Sequence, residues 1–187
     1  MRLYEKYKKE VIPKLKQQFG FTNNLAVPKI SKVTVNVGVG KFSKEAGYLE
    51  AVADNLKRIT GQISVKTKAK KSISSFKIRQ GMVIGFKVTL RRQRMYDFLD
   101  KLINITLPRM RDFRGLPLKA IDEQGNLSLG LEEHIAFPEV RADDMEKVHG
   151  LEICVTTTAR NREEGRELLQ LLGFPFKVSE EKNTKTK

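Results

Sequence analysis

The chain has no tryptophan, one cysteine and two histidines among 187 residues. A single thiol, Cys154, excludes an internal disulfide and argues for a reducing compartment. It lies in the β-branched run "LEICVTTTA", where a buried strand thiol is expected. His134 and His149 are not at ligand spacing, so neither a metal site nor a cofactor is expected. No apolar run reaches the roughly 18 residues of a membrane span, so no membrane partner is expected. The stretch "MRLYEKYKKEVIPKLKQQFG" lacks the apolar core of a secretion signal, which suggests a mature terminus and a cytoplasmic protein. Acids are scarce in one half. Residues 1–100 hold seven Asp and Glu against 22 Lys and Arg, whereas residues 101–187 hold 15 against 14. The basic half therefore lacks the clustered carboxylates that a nuclease needs to hold metal ions, and no nucleophile–base pair stands out elsewhere. An enzyme is not expected.

What is abundant is positive charge. The formal net charge is +14, and its concentration in the first half points to a polyanionic partner. A phosphate loop and a dinucleotide turn are both rejected. In "NVGVGK" the position five before Gly40 is Val35, and Phe42 follows Lys41 where Ser or Thr is required. Ser43 occupies the third glycine position of the dinucleotide pattern. Gly38 and Gly40 either make a turn or let another backbone come close.

Apolar spacing predicts the elements. Leu3, Tyr7, Val11, Leu15 and Phe19 recur at helical spacing, with Pro13 predicting two pieces or a kink and Gly20 a stop. "PKISKVTVNVGVG" alternates as a strand over 29–38. Ile30 is out of phase, which predicts either a bulge or the strand start near Ser31. Residues 46–59 form an amphipathic helix. "GQISVKTK" reads as a strand with Ile63 and Val65 inward and Gln62, Ser64 and Lys66 outward. "MVIGFKVTLRR" follows with Val88 and Leu90 inward and Lys87, Thr89 and Arg91 outward. The helix in "MYDFLDKLINITLPRM" is expected to end before Pro108. Residues 110–147 read as turn-rich, "HGLEICVTTTA" as a strand, and "NREEGRELLQLLG" as a helix capped by Asn161.

This order lacks regular strand–helix alternation. It predicts an α+β fold: a mostly antiparallel sheet with helices packed on one face and an open polar face. A single domain over 1–178, with a basic loop at 66–81 and a flexible charged tail at 179–187, is expected. The open face would carry Lys32, Thr34, Asn36, Gln62, Ser64, Lys66, Lys87, Thr89 and Arg91. Such a face is either ordinary solvated sheet or a docking surface.

The loop "KTKAKKSISSFKIRQG" carries six Lys and Arg and no acid. Its lysines attract phosphate, and Ser72, Ser74 and Ser75 can bond phosphate or 2′-hydroxyl groups. Phe76 either stacks on an unstacked base, worth ~1–3 kcal/mol, or anchors the loop in the core with Ile73 and Ile78. No recognition helix is evident, which favours structured RNA over a DNA groove.

"LKRITGQISVKTKAKKS" over 56–72 resembles the signature of the 5S-rRNA-binding family of bacterial large-subunit ribosomal protein number five. "VTVNVGVG", "SISSFKIRQGMVIGFKVTLR", "LPRMRDFRG" and "GNLSLGLEEHIAFPE" resemble further blocks of that family, so the resemblance covers about residues 2–178. Glu123-Gln124 and Leu127 depart from it, where relatives usually show Gly-Arg and an aromatic. The resemblance implies binding to 5S rRNA in the central protuberance, with 23S rRNA and other 5S-associated ribosomal proteins as neighbours. Its rRNA-binding positions would be Lys32, Asn36, Gln62, Phe76, Arg79 and Thr89. The basic loop, through Lys68, Lys70, Lys71, Ser72, Ser74 and Lys77, would reach peptidyl-site tRNA. A bridge to a small-subunit head protein would fall in 109–114 or 141–147.

Overall fold

Three alternating valines begin the sheet. The computed structural model describes residues 2–42, 45–111, 113–140 and 148–177. In β1 (Ile30–Gly38), Val33, Val35 and Val37 are buried, while Lys32, Thr34 and Asn36 are half-exposed. Period-two alternation of this kind requires one covered and one open face. β2 (Val65–Lys68), β3 (Val83–Leu90), β4 (Leu127–Leu131) and β5 (Leu151–Thr157) complete a sheet of order β2-β3-β1-β5-β4. Every neighbouring pair is antiparallel. The register of β1 on β5 slips between Ile30 and Lys32, so of the two readings of the phase break, a bulge or the strand start near Ser31, the bulge is the one found.

The pairing aligns one apolar face across four strands. Val35 lies opposite Val88 of β3 and Ile153 of β5, and Ile153 lies opposite Leu129 of β4. These residues share one buried cluster with side chains of all the longer helices. From α1 (Arg2–Lys6) and α2 (Ile12–Phe19) come Leu3 and Leu15. From α3 (Ala46–Thr60) come Val52, Leu56 and Ile59. From α4 (Arg92–Lys101) come Met95, Phe98 and Leu99, and from α6 (Arg162–Leu172) Leu168, Leu169 and Leu172. The described helices thus pack on the valine side. No described helix is long and apolar enough to cross a membrane.

One proline behaves differently from expectation. The first helix comes in two α-helical pieces, as Pro13 predicts, whereas the helix that begins with α4 does not stop before Pro108. In both places a π-helical turn comes just before the proline: Tyr7–Val11 before α2, and Leu102–Thr106 before α5 (Leu107–Arg109). The Ile12 N–H bonds the Tyr7 carbonyl and the Leu107 N–H the Leu102 carbonyl, each five residues back. A regular α-turn would press the pyrrolidine ring against a carbonyl four residues earlier. The wider turn relieves that clash and leaves the chain helical.

Helix ends follow local chemistry. Gly20 closes α2 in the left-handed region at φ 70°. The Asn161 Oδ1 accepts a bond from the Glu164 N–H at 2.9 Å, the expected cap of α6. Burial in the helical layer also shows in the tyrosines. Tyr7 donates to the Pro28 carbonyl at 3.1 Å. Its hydroxyl is pushed up to about 12 by burial and then by nearby Tyr4. Tyr96, whose ring lies 5.0 Å from that of Tyr4, is likewise pushed up to about 12, by burial first and then by Tyr7 and Tyr4.

The pattern over 110–147 suggests turns only, yet the segment contains β4. Leu127, Leu129 and Leu131 are buried between exposed Ser128 and Gly130. A turn built on Asp122 delivers the chain into it. The Asp122 carboxylate accepts from the N–H of Gln124 (3.0 Å) and of Asn126 (2.7 Å), and from the Asn126 side-chain amide (2.9 Å). Burial raises this carboxyl slightly, but the three bonds outweigh it and hold the group below its usual range. Residues 141–147 and the tail from 178 lie outside the described residues.

Candidate nucleic-acid interface

The face away from the helices is built by residues one step out of phase with the valines. Thr34 lies opposite Thr89 on one side and Cys154 on the other, and Ser128 continues that row. The next row runs Gly130, Glu152, Asn36, Lys87, Val65. Lys32 pairs with Thr156, and Gly38 pairs with Gly85. Strands about 4.8 Å apart make this a continuous surface of hydroxyls, an amide, two lysines, the Glu152 carboxylate and the exposed Val65.

Lys32, Asn36 and Thr89 thus share one open face, as alternation predicted. Gln62 precedes β2, and its side-chain amide donates to the Thr89 carbonyl at 3.3 Å, which ties it to the same region. The phase predicted for β2 is wrong. Val65 lies opposite Lys87 and Lys66 opposite Phe86, so Val65 is on the open face and Lys66 on the helix side. Ile63 and Val65 are 75% and 68% exposed. β2 is a four-residue edge strand, and the core does not extend beneath it. Arg91 lies beyond β3 as the residue that opens α4.

Cys154 also departs from expectation. It is half-exposed on the open face, 3.8 Å from the Ser128 hydroxyl, rather than buried. Glu152, Ser128 and Thr156 belong to this face as well. The alternation of β5 and of "LSLGL" would have revealed them had both segments been phased against β1.

Phe76 and Arg79 sit elsewhere, in the excursion between β2 and β3. That excursion is a small hairpin. Ile73 and Ile78 exchange both backbone bonds, at 2.9 and 3.1 Å, around the turn 74–77. The Lys77 N–H bonds the Ser74 carbonyl at 3.0 Å, and Lys77 itself is left-handed at φ 53°. A lysine there is less favourable than glycine by about 1 kcal/mol. The Ser72 hydroxyl accepts from the Gln80 N–H at 2.9 Å, which helps to hold the loop and leaves its O–H as a donor. Phe76 stands at the tip, 70% exposed, which removes the core-anchor alternative. Ile73, Ile78 and Ile84 with Ala69 line an apolar cleft of about 480 Å³ rimmed by Lys68, Lys70 and Lys71, and Ile73 is itself exposed. Lys68, Lys70, Lys71, Ser74 and Lys77 are exposed.

On the far edge, Arg109, Met110, Arg111, Gly130, Glu132, Glu133, Ile135 and Ala136 line a cleft of about 560 Å³ with mixed charge. Among the described residues no group of three His, Cys, Asp or Glu could hold a metal ion. His134 and His149 instead stack in the interior, ring centres 3.9 Å apart.

An α+β sheet with one helix-free, hydroxyl- and lysine-bearing face and a lysine-rich hairpin defines a polyanion-binding architecture. Comparison with known proteins gives it a family. The family described as "ribosomal protein L5" matches residues 23–79, and the C-terminal part of the same ribosomal family matches residues 83–176. Large ribosomal subunit protein uL5 of Caldanaerobacter subterraneus subsp. tengcongensis is 54% identical over 94% of this chain and 98% of its own. The proteins of the same name from Natranaerobius thermophilus and Desulfatibacillum aliphaticivorans are each 53% identical over the same shares. The chain belongs to the ribosomal protein L5 family. It is a structural, non-enzymatic, RNA-binding component of the ribosome, and it works there in the cytoplasm.

Proposed function

We propose that the chain binds 5S rRNA in the central protuberance of the large ribosomal subunit, through Lys32, Asn36, Gln62, Phe76, Arg79 and Thr89. It contacts 23S rRNA and other 5S-associated proteins there. The 66–81 hairpin reaches peptidyl-site tRNA with Lys68, Lys70, Lys71, Ser72, Ser74 and Lys77. A bridge to a small-subunit head protein forms at 109–114 or at 141–147, of which Asp112 and 141–147 lie outside the described residues. One observation supports the rRNA surface: the registers put Lys32, Asn36 and Thr89 on a single face, and the described helices pack on the other. Hydroxyls and amides suit phosphate and 2′-hydroxyl groups, and lysines supply attraction without direction. The exposed Phe76 supports base or ribose stacking at the loop. The arginine–glutamate cleft at 109–136 supports a protein contact of complementary charge.

The test is the affinity of purified Asn36→Ala and Thr89→Ala variants for 5S rRNA. Each is expected to bind roughly tenfold more weakly, the loss of one bond to a charged or well-oriented partner, with the melting temperature unchanged. If both bind as the parent does, the sheet face is not the rRNA surface. Random duplex of the same length is expected to compete poorly; full competition would indicate a nonspecific polyanion binder.

A further inference from the structure

We infer that the cleft between α1 and the start of α4 seats one unstacked nucleotide of 23S rRNA, its base on the Tyr4 ring and its phosphate on Arg92. This rests on the proposed contact with 23S rRNA, to which no residue has been assigned, and supplies its residues. Tyr4, Arg92, Gln93, Tyr96 and Asp97 line a cleft of about 310 Å³ with mostly apolar walls. Apolar walls with a few polar groups at this size suit one small planar group. Tyr4 is 38% exposed, a large ring left at the surface. Tyr96 is buried beside it, ring centres 5.0 Å apart, and fixes its position. An exposed ring braced by a buried one is a rigid platform for a base.

Charge selects a nucleotide as the occupant. Arg91, Arg92 and Arg94 are all exposed where α4 opens, and the Lys8 ammonium lies 4.4 Å from the centre of the Tyr4 ring. Cations gathered round one exposed ring suit a phosphate next to a stacked base. Asp97 decides which part goes where. A carboxylate in the cleft repels phosphate, so the uncharged base enters and the phosphate stays at the arginine rim. Gln93 offers the base edge both a donor and an acceptor. The backbone agrees. Among the described residues, Lys77 and Arg92 are the non-glycine positions with positive φ, at 53° and 54°. Glycine would take either conformation without strain. In both places a cation stands instead, beside an exposed aromatic: Phe76 in the hairpin and Tyr4 here. The place of the cleft selects which RNA. It lies in the helical layer, on the valine side of the sheet. RNA docked on the open face lies across the sheet from it, so a second RNA fills the cleft.

The experiment compares three variants, with Asn36→Ala as the sheet-face control. Tyr4→Leu keeps apolar bulk and loses the ring, Tyr4→Phe keeps the ring, and Arg92→Gly removes the charge and relieves the backbone. The full chain saturated with 5S rRNA is titrated with 23S rRNA, the free chain is titrated with 5S rRNA, and melting temperature is read for each. Tyr4→Leu is expected to bind 23S rRNA roughly tenfold more weakly, the loss of one stacked base, and Tyr4→Phe to bind it as the parent does. Arg92→Gly should bind 23S rRNA severalfold more weakly and melt close to the parent. All three should keep parent affinity for 5S rRNA, whereas Asn36→Ala should lose it. If Tyr4→Leu melts well below the parent, Arg92→Gly decides. Parent-like 23S affinity in the folded variants overturns the inference and spares the 23S contact. A parent chain that does not itself bind 23S rRNA overturns both. Weaker binding of Tyr4→Leu to free 5S rRNA, at an unchanged melting temperature, overturns the choice of RNA. Parent-like affinity for both RNAs in variants that fail to enter large subunits gives the cleft to a protein and overturns the inference as well.

Discussion

The two faces of one sheet obey opposite demands although they share every backbone atom. On one, Val33, Val35, Val37, Phe86, Val88 and Leu90 are buried to within 1% exposure. On the other, one residue away each time, Lys32, Thr34, Asn36, Lys87 and Thr89 keep hydroxyl, amide and ammonium groups within reach of solvent. The covered face is answered by helices, so its residues are chosen for volume and for lack of polar atoms. The open face has no answer within the described residues, and its residues are chosen for donors and acceptors. Stability and binding are thus separated by a single step along a strand, and substitutions at neighbouring positions should separate them too.

The largest effect comes from the pair Phe86 and Lys87. Phe86→Ala should cost about 3–5 kcal/mol in urea unfolding. Lys87→Ala should stay within about 0.5 kcal/mol of the parent, weaken 5S rRNA binding and reduce its salt slope by about one. Equal stability losses in the two would break the separation of the faces. For the parent, with about five phosphates neutralised, affinity should fall on the order of 10²–10³ between 50 and 200 mM salt.

A smaller effect sharpens the edge of the core. Val35→Thr buries a hydroxyl without a planned partner and should cost about 1–3 kcal/mol. Val65→Thr, on exposed β2, should be neutral within about 0.5 kcal/mol by the same unfolding measurement. A large cost at Val65 would mean that the core continues beneath β2.

A further effect concerns the helical layer at high pH. Tyr7 and Tyr96 titrate near 12 against an ordinary 10, because burial disfavours the phenolate. A folded value raised above the unfolded one contributes stability that is intact below about 10 and lost as pH climbs through about 12. Phenolate absorbance should therefore lag behind free tyrosine, and unfolding should begin in that window with the α1–α4 contact. Normal titration of both rings would show that this layer is looser than described.

Much of this architecture was legible in the sequence where packing and local pattern agree. The alternation of β1 and β3, the phase break near Ser31 and the Asn161 cap each follow from a rule that the surroundings do not override. The departures share one cause: a local rule is overridden by its neighbours. Ile63 and Val65 read as inward, but β2 is an edge strand with no helix to receive them. Pro108 reads as a stop, but a π turn before it makes room for the ring. β4 was hidden because Gly130 and the Asp122 turn look like loop, and its partner β5 was not phased against it. Of the site, the three face positions were legible from alternation, whereas the hairpin closing at Ile73 and Ile78, with Phe76 held outward, depends on pairing that no periodicity announces.

Cys154 offers the most direct measurement. It is the only thiol in the chain and sits half-exposed in the middle of the open face, opposite Thr34. Its alkylation rate by iodoacetamide should drop severalfold when 5S rRNA saturates the protein, while random duplex at equal concentration leaves it unchanged. An alkylation rate untouched by saturating 5S rRNA would mean that the RNA docks somewhere other than this face.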